Sequence, residues 1–248
     1  MEWEKELDRI AHDNIHGATY LTKALVELAA KVEDIERFLK RAEGVQPYMA
    51  SIFNFLADLK KAHRKSEDIK KFCQRWWQEF EAEHKRVVQK GTELIKRKSI
   101  LVHSFSSAVY EAILQAQNVR VIATESRPKN EGVDLAKRLN EKGVDVELVI
   151  DAAAPYVVQD VDLVLFGADG VGAFGVVHKV GSFGIALGAS RFAKPLYALA
   201  HPKKFWPKDF VLPKEPLKDP KEVCSCEFTV RNFYFDVTPL AFFTQIVD

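Results

Sequence analysis

No apolar run in this chain approaches the ~18 residues that a membrane-crossing helix needs. The opening residues, MEWEKELDRIAHD, are charged and contain no apolar core, so no secretory leader is expected. Cysteine is scarce: 248 residues hold only 3, at Cys73, Cys224 and Cys226. An odd, sparse set argues against a disulfide framework and suits a reducing, cytoplasmic setting. Cys224 and Cys226 form C-x-C rather than the C-x-x-C of a redox or zinc pair, and no second pair or nearby histidine completes a ligand set. Two small side chains on one face of a strand are expected there, and no metal. Charge of one sign is also missing. Lys+Arg is 36 and Asp+Glu is 35, a net charge of +1. Such a balance gives no long-range pull toward nucleic acid or anionic lipid. Finally, there is no carboxylate between residues 170 and 208, an absence that decides a question below.

What is present is enough apolar material for a core, at 47% of residues. Up to about residue 95 the apolar positions recur at helical spacing. Ala18, Leu21, Ala24, Leu25, Leu28 and Ala29 make one face, and Ile52, Phe53, Phe55, Leu56 and Leu59 another. Gly44 followed by Pro47 reads as a helix stop and a new start. Residues 66–90 read as one long helix, and the mixed-sign run 60–71 as its solvated approach.

After Gly91 the texture changes. Short β-branched runs at 99–104, 119–126, 144–150, 161–169, 176–181 and 195–200 alternate with helical stretches at 106–117, 132–142 and 182–192. This is the pattern of βαβ units on a mostly parallel sheet with helices on both faces. The predicted class is α/β: a helical N-terminal domain over 1–95, then a Rossmann-like domain over 96–248. In such sheets the ligand lies at the carboxyl ends of the strands. Those ends are His103-Ser104, Glu125-Ser126-Arg127, Asp151 and Gly167-Ala168-Asp169.

The stretch VDLVLFGADGVGAFGVVHKVG (161–181) contains Gly170-x-Gly172-x-x-Gly175, the spacing of a dinucleotide-binding turn. That turn works only where it opens a helix. Here Gly175 leads into the β-like run 176–180, and the ribose-binding acid some twenty residues on is the missing carboxylate. NAD is excluded on both counts, and no cofactor is expected. The glycines instead read as a sharp turn that exposes Asp169. Main-chain N–H groups at the helix start near Gly181-Ser182, with Lys179 beside them, make a candidate phosphate site.

ILVHSFSSAVYEAI, VIATESRPKNEGVDLAKRL, LVLFGADGV with VVHKVGSFGIAL, and YFDVTP occur in this order. Together they resemble the family that unites the regulatory (alpha, beta and delta) subunits of translation initiation factor 2B with two sugar-phosphate isomerases. Those isomerases act on methylthioribose 1-phosphate and ribose 1,5-bisphosphate. The resemblance covers 99–200 and 233–239, with a weaker echo at 14–25 and 45–56. It implies a helical domain followed by the Rossmann-like one, and pairing into dimers or higher assemblies.

The resemblance also implies where to look. The isomerases use a cysteine just after the first strand's histidine and the aspartate of G-A-D. Here the aspartate stands as Asp169, and the cysteine position is Ser104. An alcohol cannot act as the base that a tuned thiol can, and His103 should face away from its neighbour. The isomerases' N-terminal arginines are replaced by His16 and Gln46, which removes two phosphate clamps. Gly17, Ala18, Ser106, Arg127, Gly167, His178, Lys179 and Gly181 remain as ligand-binding candidates; Asp236 reads as structural. His201-Pro202-Lys203-Lys204 reads as an exposed loop, and Phe205-Trp206-Pro207 as the anchor of a proline-rich crossing. The expected function is a regulatory-subunit-like protein with a pocket for a sugar phosphate or nucleotide and without isomerase catalysis. The alternatives are an aldose–ketose isomerase and a non-catalytic scaffold. Expected partners are a second copy of the chain and translation initiation factor 2, with no direct nucleic acid and no membrane.

Overall fold

In the computed structural model, which describes residues 2–248, five helices precede the first strand. They are α1 (Glu2–His12), α2 (Ala18–Ala29), α3 (Ile35–Ala42), α4 (Ala50–Arg64) and α5 (Ile69–Ile95). The apolar faces legible in the sequence do the packing. Leu21 and Leu25 of α2 and Ile52, Phe55 and Leu59 of α4 share one core with Phe72, Trp76 and Phe80 of α5. Asp34 and Asp68 accept the backbone N–H groups of Arg37 (2.9 Å) and Lys71 (3.1 Å), capping α3 and α5. Gly44, at φ +76°, turns the chain out of α3. Helix α5 runs five residues past the expected segment, to Ile95 rather than residue 90. Its later residues Val87, Val88 and Ile95 pack into the core of the sheet, so one helix serves both cores.

The rest of the chain runs β1 (Ser99–Val102), α6 (Ser107–Gln115), β2 (Arg120–Thr124), α7 (Glu131–Glu141), β3 (Asp145–Val149), α8 (Ala154–Val157), β4 (Leu163–Phe166), β5 (Gly170–Gly172), β6 (Gly175–Lys179), α9 (Ser182–Arg191), β7 (Leu196–Leu199), β8 (Phe235–Thr238) and β9 (Gln245–Val247). Six strands form a parallel sheet in the order β3-β2-β1-β4-β7-β9. The order reverses between β1 and β4, and in doubly wound sheets that crevice is where ligands bind. The two-residue strand period sorts side chains cleanly. Ile100, Val102, Val121, Leu163 and Leu165 face α5, α6 and α7. Leu101, Ile122, Val164 and Phe166 face α8 and α9. No helix among the described residues is long and apolar enough to cross a membrane.

Three expectations need correction. The run 176–181 does not join the parallel sheet; β6 is the centre of a small antiparallel sheet, β5-β6-β8. Gly170 and Gly172 do not form the turn either. They lie in β5, and the turn is confined to residues 167–169. Gly170 lacks a side chain because Trp206 fills the space: a Cβ there would sit 2.2 Å from the indole ring. That contact agrees with Trp206 as the anchor of the proline-rich crossing, and the backbone N–H of Trp206 donates to the Val171 carbonyl at 2.9 Å. Lastly, Cys224 and Cys226 are not on a strand. They lie in irregular chain after a short 3-10 turn, with their Cα atoms 5.5 Å apart.

Candidate functional site

A cleft of about 740 Å³ opens between the helical layer and the carboxyl ends of the parallel strands. The loop after α1 and the first turn of α2 form one wall; the ends of β1, β4 and β6 and the start of α7 form the other. Of the residues singled out from sequence, Gly17, Ala18, Ser104, Ser106, Asp169, His178 and Lys179 line this cleft. Arg127, Gly167 and Gly181 do not. Arg127 is exposed and donates to the carbonyls of Glu222 (3.3 Å) and Val223 (3.2 Å), bracing a loop. Gly167 lies behind Ser106, whose Oγ would be 2.3 Å from any Cβ at that position.

Gly181, at φ +108°, begins α9, but the anion site expected there is already filled by the protein. The Asp236 carboxylate accepts from the N–H groups of Gly181 (2.8 Å) and Phe183 (3.1 Å). Burial raises the Asp236 carboxyl to about 6, against the pull of those two hydrogen bonds. Two other helix starts do face the cleft without a side-chain cap: α2, preceded by Gly17, and α6, preceded by Ser106. Their free N–H groups are oriented to receive an anion.

Asp169 is on the cleft wall at the turn after β4, and its carboxylate makes no hydrogen bond or ion pair among the described residues. Its backbone is held on both sides, accepting from Ala50 N–H (2.9 Å) and donating to Val177 O (3.0 Å). Burial raises the carboxyl to about 6; Lys204 and Lys179 oppose the rise and Glu131 adds to it. Lys179 is not free to meet a ligand alone. Its Nζ is 2.5 Å from Glu131 Oε1 and 5.0 Å from the centre of the Tyr234 ring.

His103, the first residue after β1, is buried away from the cleft. Its Nε2 donates to Val180 O (2.9 Å), so its Nδ1 accepts from the Thr124 hydroxyl (2.5 Å). Burial lowers its proton affinity, which keeps the ring neutral. Both nitrogens are therefore occupied, and neither activates Ser104. Ser104 sits at φ +62°, its N–H donating to Ser126 Oγ at 2.8 Å. His178 is also buried, and burial holds its pKa well below the usual histidine range. Because Ser182 gives its proton to Lys179 O (2.6 Å), His178 Nδ1 donates to Ser182 Oγ (2.8 Å) and Nε2 keeps the lone pair.

On the helical side, the two replaced arginine positions have local work. His16 pairs with Asp13 (2.8 Å) and stacks on Tyr20 at 4.0 Å. The Gln46 amide donates to the carbonyls of Ile10 (2.9 Å), Ala11 (3.2 Å) and Asp13 (2.8 Å), closing the end of α1.

The segment 201–204 is not an exposed loop. His201 and Lys204 are buried, at 1% and 5% exposure, and Lys204 reaches the cleft. Glu131 and Lys204 are the two charged groups around Asp169 that no sequence pattern marks as site residues. Glu131 looks like an ordinary acid in a helix's first turn, and Lys204 lies in a basic, proline-flanked run. His201 packs edge-on against Phe80 at 4.4 Å, and neither ring nitrogen has a partner. Burial drives its pKa down to about 2. We predict that His201→Leu stabilises the fold by about 1–2 kcal/mol at pH 7.5, the cost of an unpaired buried polar group. The unfolded residue takes a proton near 6.5 and the folded one does not, so wild type loses stability as pH falls below 6.5. At pH 5 that loss is about 2 kcal/mol, and the variant escapes it. Urea unfolding at both values checks this; a variant less stable than wild type at both contradicts it.

The sheet order, the cleft at its switch point and the motif positions agree with a match to the model of the initiation factor 2 subunit family over residues 13–247. The chain belongs to that family. A Pyrococcus furiosus relative, named as translation initiation factor eIF-2B subunit 2-like, is 29% identical over 98% of this chain and 93% of its own length. A ribose 1,5-bisphosphate isomerase of Archaeoglobus fulgidus is 30% identical over 93% of this chain and 81% of its own. The crystal structure of the Pyrococcus horikoshii translation initiation factor eIF-2B superimposes with a TM-score of 0.87 at 28% identity, covering 99% of this chain and 94% of that one. The family thus includes both initiation-factor-like proteins and sugar-phosphate isomerases.

Proposed function

We propose that this protein is an initiation factor 2B regulatory-subunit-like member whose cleft binds a sugar phosphate or nucleotide and does not isomerise it. The observation that carries the reading is at the end of β1. The isomerases' thiol position holds Ser104, and the one adjacent imidazole is turned away with both nitrogens engaged. A serine hydroxyl without a hydrogen-bonded base is a poor proton acceptor at neutral pH. What remains is a binding cleft: uncapped starts of α2 and α6 for the anion, and Asp169, His178 and Lys179 on the opposite side. The helical part, 1–95, and the sheet part, 96–248, act as two units with the ligand between them.

A thermal-shift screen with sugar phosphates and nucleoside monophosphates tests the ligand class. A binder at 100 times its Kd should stabilise the fold by about 2.7 kcal/mol. No shift with any of them would leave only the scaffold reading. A second reading, residual isomerase activity with another base, is favoured by one observation: the Asp169 carboxyl titrates near 6, close to what proton transfer at neutral pH requires. Tyr156, Phe183, Leu187 and Leu240, exposed apolar side chains of the sheet part, support self-association through it. We take the protein to be a cytoplasmic dimer or larger assembly, with translation initiation factor 2 as a partner and no direct contact with nucleic acid.

A further inference from the structure

Lys204 is placed with care for a residue in a 3-10 turn. The Asn54 amide, on α4, donates to the carbonyls on either side of it, Lys203 O (2.9 Å) and Phe205 O (2.8 Å). Its own backbone N–H donates to His201 O at 2.8 Å, and the next turn is pinned where the backbone N–H of Trp206 donates to Val171 O at 2.9 Å. The side chain then runs through the protein to the cleft, where Nζ donates to Ala168 O at 2.7 Å. An ammonium has further N–H donors, and none of these has a protein partner among the described residues. Asp169, the next residue along, attracts Lys204 electrostatically without forming an ion pair with it. A buried cation and a carboxylate with open lone pairs thus face the same part of the cleft and leave a gap between them.

A phosphate suits that gap poorly, because Asp169 presents an unpartnered carboxylate to it and Lys179, the other nearby cation, is already paired with Glu131. A neutral oxygen that both accepts and donates does suit it. We propose that Lys204 and Asp169 together bind one hydroxyl group of a sugar, Lys204 donating a hydrogen bond to its oxygen and Asp169 accepting a hydrogen bond from its O–H. This rests on the reading of the cleft as a sugar-phosphate site and adds to it: the phosphate goes to the starts of α2 and α6, and Lys204 selects the sugar end. Lys204 is a ligand-anchoring residue in this account, held by Asn54.

The test is calorimetric titration of wild type and Lys204→Met with ribose 1-phosphate and with inorganic phosphate. Wild type should bind the sugar phosphate at least tenfold more tightly than phosphate. Lys204→Met should lose at least tenfold for the sugar phosphate and keep its phosphate affinity. Equal losses for both probes would make Lys204 a phosphate contact or a structural prop, and no loss for either would remove it from the site; each result overturns the proposal. If Lys204→Met does not fold, Asn54→Ala replaces it, with the same selective loss expected and the same two results contradicting it. Wild type binding neither probe would defeat the cleft reading itself, which is a different failure from binding both without Lys204-dependent selectivity.

Discussion

Asp169→Asn should lower sugar-phosphate affinity about 100-fold while making the ligand-free protein more stable. Its carboxylate faces the cleft without a protein partner, and burial has raised it from 3.8 to about 6. A buried charge held ready for a ligand is a standing cost to the fold, and a shift of that size corresponds to about 3 kcal/mol. The sign follows from linkage. The folded acid takes its proton at higher pH than the unfolded one, so the penalty is full above pH 6, shrinks as pH falls through 6, and is gone below about 4. The stability gain of Asp169→Asn over wild type should therefore be largest at pH 8 and small at pH 4. Asp236, also raised to about 6, still titrates in the variant and leaves this comparison unaffected. Thermal melts across that range, paired with calorimetry at pH 7.5, check both halves. A variant that loses stability at pH 8, or that binds as well as wild type, contradicts this description of Asp169.

Gly132→Ala should destabilise the protein by about 3 kcal/mol, the upper end of what a side chain forced against a packed interior costs. A Cβ at this position would lie 1.7 Å from Thr124 O and 2.9 Å from Thr124 C. Those are main-chain atoms of β2, and no rotamer change relieves them. Glu131, one residue earlier, is 2.5 Å from Lys179 on the same wall of the cleft, so a shift of α7 disturbs that pair as well. The substitution should therefore also weaken ligand binding in whatever fraction folds. Urea denaturation measures the first effect. A midpoint unchanged from wild type would mean that α7 can move away from β2 freely.

Much of this arrangement is legible in the sequence, because local signals carry it. The apolar runs at 99–104, 119–126 and 161–169 contain β1, β2 and β4, and the helical stretches between them become α6 and α7. Asp169, Ser104 and Lys179 lie in the ordered motifs, and all three line the cleft. What was not legible depends on distant partners. The run 176–181 has the same apolar character as a parallel strand, and only its pairing with β8, some sixty residues later, places it in the second sheet. Lys204 looks exposed because it sits among lysine and proline; its burial depends on Asn54, 149 residues from Lys203 and 151 from Phe205. The anion site expected at α9 fails for the same reason, since Asp236 reaches Gly181 from 55 residues away.

A cleft that binds without turning over leaves an isomerase substrate intact, which is read by supplying that substrate and watching for product. Wild-type protein incubated with ribose 1,5-bisphosphate or methylthioribose 1-phosphate should leave the aldose unchanged. Formation of the ketose at about 1 s⁻¹ or faster, an ordinary enzymatic rate, would contradict the account and make the serine at position 104 compatible with catalysis.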